Sequence, residues 1–424
     1  MHYVVGGLLF GDEGKGHTVA KLTDVLGAKA NIRFSGGCQA AHRVVRDGVS
    51  HVFAQFGSGS AVSSTVQTFI TDKMAWNPLG LIREVEVHKI NGLGDLLSRL
   101  FISPDCPTTT WYHRALNRAR EIHREVTEGG RLSSVGLGVG DTFDDVRDHP
   151  ELVLRASVAI EGDLWGLARA LHRVELMGRL EAIRLAKNRA AGKLCPEAQG
   201  VYREALGPHY DSAHLCVEQL HALSPVLGPC IKRGFLDLLH RWLKSGPCIF
   251  EGSQGALLDM GIGTTPYITH SRTVVSEALP YLGGFEHTML GVTRTYAHRH
   301  GKGPLPTENP ALASTDLHNV FNEWQRGFRM GDLDLPLLRY SVKSVGCLDG
   351  IVVTHMDQIP ESRHYCDRYD GMGNLTIRDL ALCHNPVPRY ETYDDVIELL
   401  TRELGLPVVA QSWSDKDKWT NIKV

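Results

Sequence analysis

The chain has 424 residues, with 45 Lys and Arg against 48 Asp and Glu and a formal net charge of −3. That near balance gives no electrostatic case for a nucleic-acid or membrane-surface partner, and no apolar run is long enough to span a bilayer. Nine cysteines lie scattered without C-x-x-C pairs, which suits reduced thiols in a cytoplasmic enzyme better than a disulfide framework.

The first predicted element is a short apolar run, Val4-Val5. It feeds Gly6-Gly7-Leu8-Leu9-Phe10-Gly11-Asp12-Glu13-Gly14-Lys15-Gly16-His17-Thr18 and continues as an amphipathic helix to Leu26. Charges arrive too early here for a secretory leader. Glycines let backbone N–H groups close on a phosphate, and the following helix N-terminus adds its positive dipole end. Lys15 supplies a point charge, and Asp12 is suited to hold Mg²⁺ or to act as a base. The spacing departs from the common P-loop, G-x-x-x-x-G-K-[ST], because Leu9 stands where the first glycine belongs. Alone, the turn reads either as a phosphate loop or as a tight strand-to-helix connection.

Further strand-like runs follow Tyr3–Val5 at Ala30–Phe34, Val66–Thr71, Cys248–Phe250, Thr288–Val292 and Gly350–Thr354. Several are followed by a glycine-rich or acidic turn and then a helical pattern. This alternation predicts an α/β fold, a mostly parallel central sheet flanked by helices, with sites at the strand C-termini. Between about residues 152 and 243, Leu, Ala, Arg and Glu dominate at helical spacing, with breaks near Gly192, Pro196 and Pro208. The strand at Cys248–Phe250 then resumes the earlier style. We therefore expect a helical insertion within a single domain over residues 1–424.

Chemistry-bearing residues cluster in a few segments. His42 ends the small-residue turn Ser35-Gly36-Gly37-Cys38-Gln39-Ala40-Ala41 and is placed either to reach a ligand on the first loop or to pack in the core. The pair His298 and His300 invites a metal reading, but no further ligand cluster has metal-site spacing. Arg326 and Arg329 suit bidentate carboxylate binding or, equally, a solvated basic turn.

Together the segments resemble the adenylosuccinate synthetase family, in order from Gly7 to Lys416. Gly11–Gly16 resembles the family's N-terminal signature, and Gly37–Arg43 aligns with G-H-N-A-G-H-T. Phe250–Asp259 resembles F-E-G-A-Q-G-x-L-L-D, and Gly263–Thr269 matches G-T-x-P-Y-V-T. Arg294–Glu308 resembles K-A-Y-x-T-R-V-G-x-G-P-F-P-T-E, and Arg326–Asp334 resembles R-x-R-R-x-G-W-L-D. The resemblance implies a homodimeric ligase that joins L-aspartate to C6 of a 6-oxopurine nucleotide through a 6-phosphoryl intermediate. GTP or ATP drives the reaction, with Mg²⁺ as cofactor.

By the same resemblance, Asp12 removes the N1 proton, and His42 is the acid at the 6-oxygen as phosphate transfers to it. An imidazole suits that task. Lys15 completes the catalytic set with Gln254, whose amide can serve a purine edge and steady the Asp–His pair. Gly11, Glu13, Gly14, Lys15, Gly16, His17, Thr18, Asp357, Ser412 and Ser414 fall at the triphosphate site. Gln39, Ser134, Gln254, Thr269 and His300 fall at the purine monophosphate site. Arg326 and Arg329 take the aspartate carboxylates, while Asp12 and the carbonyl of Ala41 hold the metal.

Departures concentrate around the substrate. Gln39 replaces Asn, Val135 and Leu137 remove a hydroxyl and a guanidinium, and Phe328 replaces a middle arginine. Arg147 and Arg155 are candidates for the arginine supplied across a dimer. Thr354-His355-Met356-Asp357 replaces the base-reading T-K-L-D, and Trp413 is a candidate cap on the base. Such changes leave open a dGMP- or GMP-using 2-aminoadenylosuccinate synthetase. Against that stands Asp12, whose carboxylate would crowd a purine 2-amino group, so IMP is the preferred substrate. A non-catalytic nucleotide sensor is the remaining reading; it needs no acid–base pair.

Overall fold

A computed structural model describes residues 1–189, 191–312, 319, 321–372, 376–383, 386–414 and 418–423. All six runs marked as strands lie in one nine-stranded sheet. Its order is Trp419–Thr420, Val408–Ser412, Gly350–Thr354, His287–Arg294, His2–Gly7, Cys248–Gly255, Ala30–Arg33, Gln67–Ile70, Leu100–Ile102. Only the edge strand Trp419–Thr420 pairs antiparallel. His2–Gly7 sits at the centre, with Cys248–Gly255 and His287–Arg294 on either side. Its burial on both faces explains why it reads as a continuous apolar run rather than an alternating one.

The section from 152 to 243 contains helices Leu164–Ala186, Pro196–Leu206, Ala213–Ala222, Ser224–Leu227 and Phe235–Ser245. It leaves the sheet after the edge strand Leu100–Ile102 and returns through the central strand Cys248–Gly255, as an insertion does. Leu167, Leu171, Val174, Ala182 and Tyr202 share one apolar core with Trp76, Ile102 and Tyr112 of the sheet half. A second apolar core, with Leu337, Leu338, Leu399 and Leu400, lies under the helices of the C-terminal quarter.

Glycines permit two close approaches that set the site. A Cβ on Gly7 would fall 2.2 Å from the Glu13 carboxylate, and one on Gly16 would fall 2.7 Å from the His42 Cβ. The first allows a carboxylate under the turn; the second lets the hairpin of His42–Arg46 and Val49–Phe53 lie against the helix Lys15–Leu26.

Three histidines are held far below the usual imidazole range, at about 4, with burial the largest cause in each. The amino terminus adds to it at His2, His51 at His88 and Arg294 at His298. His88 is fully buried, its ring stacked 4.4 Å from Phe53. A neutral native histidine stabilises fully above its unfolded value of 6.5, and that stability is lost as pH falls toward 4, because the unfolded chain binds the proton first. The melting temperature therefore falls as pH drops from 6.5 to 4. His88→Phe should remove part of that slope, on the order of 2 kcal/mol by pH 4, measurable by thermal melts across the range.

Candidate functional site

The strand His2–Gly7 ends in a turn that has to reverse quickly into the helix Lys15–Leu26, and the turn is organised from beneath by Glu13. Its buried carboxylate accepts from the N–H of Leu9 at 3.0 Å and of Gly11 at 2.9 Å, and pairs with Lys15 Nζ at 2.6 Å. Gly14 caps the helix in the left-handed conformation, with no side chain on the first-turn N–H groups. That leaves those donors and the dipole end for an anion.

Asp12 also lies left-handed, at φ 58°, a conformation Asp tolerates better than most residues. Its carbonyl takes a hydrogen bond from Arg294 Nε at 2.7 Å, and the carbonyl of Gly11 contacts His298 Nε2. The Asp12 carboxylate, 37% exposed, faces His300 Nε2 at 3.4 Å.

His42 is paired separately. Its Nδ1 lies 2.5 Å from Glu251 Oε1, and Glu251 also accepts from the N–H of Ser58 at 2.9 Å and from the Ser58 hydroxyl. Burial, then the nearby Arg33 guanidinium, hold His42 below its ordinary range, with the Glu251 hydrogen bond acting against them. Glu251 stays ionised, its pKa lowered by His42 and Arg33 against the pull of burial. The resting ring is thus neutral, with Nδ1–H donated to Glu251 and Nε2 as its remaining nitrogen. Arg33 and Glu251 occupy facing register positions on neighbouring strands, both fully buried.

These groups converge on one cleft of about 790 Å³ along the C-terminal ends of the parallel strands, where ligand sites of open α/β sheets lie. Of the residues singled out from sequence, Asp12, Lys15, His42 and Gln254 line it, as do Gly11, Gly14, Gly16 and His17. So do Gln39, Ala41, Ser134, Thr269, His300, Asp357, Ser412 and Ser414. The Gln39 Oε1 is buried without a hydrogen-bond partner among the described residues, as an acceptor kept for a ligand would be.

Other residues fall elsewhere. The side chain of Glu13 is an internal strut, and the Thr18 hydroxyl donates to the Gly14 carbonyl at 3.0 Å; neither lines the cleft. Arg326 bonds Glu125 at 3.0 Å, and Arg329 grips Glu308 at 3.0 and 2.8 Å; these two also lie outside it. Carboxylates brought in by the fold engage both guanidinium groups. Gln254 does not bridge an Asp–His pair, because Asp12 is matched with His300 and His42 with Glu251. Trp413 packs against the C-terminal core instead of lining the cleft, its Nε1 donating to Thr420. Arg147 bonds Asp144 and Asp148, and Arg155 the carbonyl of Asp105. Asp415 and Lys416 lie outside the described residues.

Sequence reasoning gave no role to Glu251, Arg33, Ser58 or Arg294. The signal for the first two was present as single charges inside apolar strands, Ile32-Arg33-Phe34 and Phe250-Glu251, positions that burial forbids unless the charges are paired. The cleft also receives Asn117, Arg120 and Arg124 from the helix Trp111–Glu128, and Asn322 and Gln325 from the segment before Arg326.

A Gly-rich turn at an uncapped helix N-terminus, with two acid–base pairs in one cleft on a parallel sheet, defines a nucleotide-handling α/β enzyme. The chain matches the family model of adenylosuccinate synthetase over residues 4–402. It is 31% identical over 434 residues to the adenylosuccinate synthetase of Polaromonas naphthalenivorans, covering 97% of this chain and 90% of that one. The enzyme of Acinetobacter baylyi is 32% identical over 409 residues, covering 92% and 86%. The protein belongs to the adenylosuccinate synthetase family and is a C–N bond-forming ligase. In fold it resembles the fully ligated adenylosuccinate synthetase of Plasmodium falciparum, with a TM-score of 0.78, 18% identity and coverage of 98% and 97%. It also resembles the succinoaminodeoxyadenylate synthetase of cyanophage S-2L bound to dGMP and dATP, with a TM-score of 0.56, 14% identity and coverage of 98% and 93%.

Removing the strut under the turn should unfold it locally. Glu13→Gln leaves the Lys15 charge buried without its partner, a loss of about 3 kcal/mol. A lower melting temperature with weakened nucleotide binding by calorimetry is the expected result.

Proposed function

We propose that this chain joins L-aspartate to C6 of a 6-oxopurine nucleotide, with IMP preferred, at the expense of GTP or ATP, within a single domain. The carrying observation is the convergence in one cleft of Asp12, on a backbone pinned by Arg294 and His298, and His42, backed by Glu251. A binding protein has no need of two separately supported acid–base groups. That both ends of the chain contribute strands to one sheet supports the single-domain reading.

In this reading Asp12 takes the proton from N1, which makes the 6-oxygen nucleophilic toward the terminal phosphorus of the triphosphate. The bond from that phosphorus to the bridging oxygen breaks and the nucleoside diphosphate leaves. The amine of aspartate then adds at C6 and phosphate departs. Amides at the start of the helix Lys15–Leu26, with Lys15, hold the triphosphate. Neutral at rest, His42 acquires its proton when phosphate charge enters beside it, since an adjacent anion favours imidazolium. Protonated, its Nε2–H donates to the oxygens of the transferring phosphoryl group while Glu251 balances the ring.

The donor set suits a divalent cation. Asp12 offers a partly exposed carboxylate at the cleft and Ala41, an exposed lining residue, a backbone carbonyl, hard oxygen ligands of the kind that hold Mg²⁺ jointly with substrate phosphates. When bound, that cation neutralises phosphate charge. Among the described residues there is no cluster of three or more His, Cys, Asp or Glu side chains that would hold a metal without substrate. Arg326 and Arg329 reach aspartate only by leaving Glu125 and Glu308, so aspartate binding on them requires rearrangement of both ion pairs.

Phosphate release with IMP, aspartate, Mg²⁺ and either GTP or ATP tests the reading. Wild-type protein turns over; Asp12→Asn and His42→Gln each lose at least about 100-fold in kcat while keeping the wild-type melting temperature. Absence of turnover with every pairing of IMP, GMP or dGMP with GTP or ATP would overturn it. Glu251→Gln should lower kcat by about 10- to 100-fold with KM little changed, because it weakens the imidazolium without touching substrate.

A further inference from the structure

Among the groups around Asp12, His300 stands where the family signature has an apolar residue. Position 300 is valine in K-A-Y-x-T-R-V-G and histidine here, and position 328 is an arginine in R-x-R-R-x-G and phenylalanine here. The two replacements are facing partners in the antiparallel ribbon of Ala297–His300 with Phe328–Gly331. Their rings touch, with centroids 5.0 Å apart. Phe328 also packs against His298 at 5.7 Å and under the Arg294 guanidinium at 5.2 Å. A guanidinium at 328 would instead place a charge among these groups.

His300 Nε2 stands 3.4 Å from Asp12 Oδ2 and 3.2 Å from Asn319 Oδ1. The hydrogen bond to the Asn319 oxygen fixes Nε2 as the N–H donor, with the Asp12 carboxylate beside it at ion-pair distance, and Nδ1 is buried without a hydrogen-bond partner among the described residues. Arg294 and His298 already hold the backbone of Gly11 and Asp12. The carboxylate is therefore free to move only about its own side-chain torsions, and His300 biases those torsions toward the ribbon.

We propose that His300 is a positioning residue for Asp12 that sets how far the cleft discriminates against a purine 2-amino group. The inference rests on the reading of Asp12 as the group facing N1. A carboxylate beside N1 also lies beside C2, where it crowds a 2-amino substituent. Drawn toward His300, it leaves room there while staying within the cleft. The protein thus keeps the acid and tolerates 2-amino-6-oxopurine nucleotides, the chemical class of GMP and dGMP, beside IMP.

The test is the ratio of kcat/KM for IMP to that for dGMP in wild type, His300→Val and His300→Gln, with melting temperatures and IMP and dGMP affinities by calorimetry. In His300→Val the released carboxylate swings toward the purine, so the ratio rises at least fivefold and dGMP affinity falls more than IMP affinity. His300→Gln, whose amide N–H₂ still reaches Asp12, stays within twofold of wild type. An unchanged ratio in His300→Val, or equal losses with both nucleotides, overturns the proposal, as does a shifted ratio that Gln fails to restore. Should His300→Val not fold, His300→Ala is read by the same ratio. A wild-type protein inactive with every nucleotide overturns the ligase reading itself, which the ratio cannot do.

Discussion

The buried carboxylate of Glu13 is the constraint on which the site depends. It stands beneath a turn whose N–H groups at Leu9 and Gly11 donate to it, and it neutralises Lys15 in a place where an unpaired ammonium would be costly. The turn can therefore present its outer face, the Gly11–Gly16 backbone and the first helical N–H groups, toward the cleft. Gly7 and Gly255 are both required around it, since a Cβ at either would meet the carboxylate within 3 Å.

From that fixed turn two carboxylate–imidazole pairs of unlike character meet the cleft. Behind His42 is a fully buried wall of Glu251, Ser58 and Arg33, so its ring is locked and its charge is governed by what enters the cleft. Asp12 is fixed in its backbone but partly exposed in its side chain, and its neighbour His300 comes from a different strand ribbon. One partner is rigid and the other adjustable.

Much of this was legible beforehand. Six apolar runs became sheet strands because central parallel strands are buried on both faces and leave an unbroken apolar signature. The strands Leu100–Ile102, Val408–Ser412 and Trp419–Thr420 went unmarked, being short and lying toward the sheet edges, where the apolar signal is diluted. Most of the site residues named from motifs line the cleft. The pairing of those residues was not legible: a motif gives the identity of Asp12, His42 and Gln254 but not which neighbour each side chain turns to. Arg326 and Arg329 show the same limit, since nothing local to that segment says that Glu125 and Glu308 lie within reach.

The sequence by itself determined the parallel α/β architecture, the helical insertion, the phosphate-type turn and the membership of a ligase family, because these rest on periodicity and on short contiguous signatures. Only the tertiary structure decided that Glu13 is a strut, that Glu251 and not Asp12 supports His42, and that His300 faces Asp12. Those contacts join positions 209 and 288 residues apart for His42–Glu251 and Asp12–His300. Side-chain partnership over such spans is set by strand order and register, which no local pattern of residues encodes.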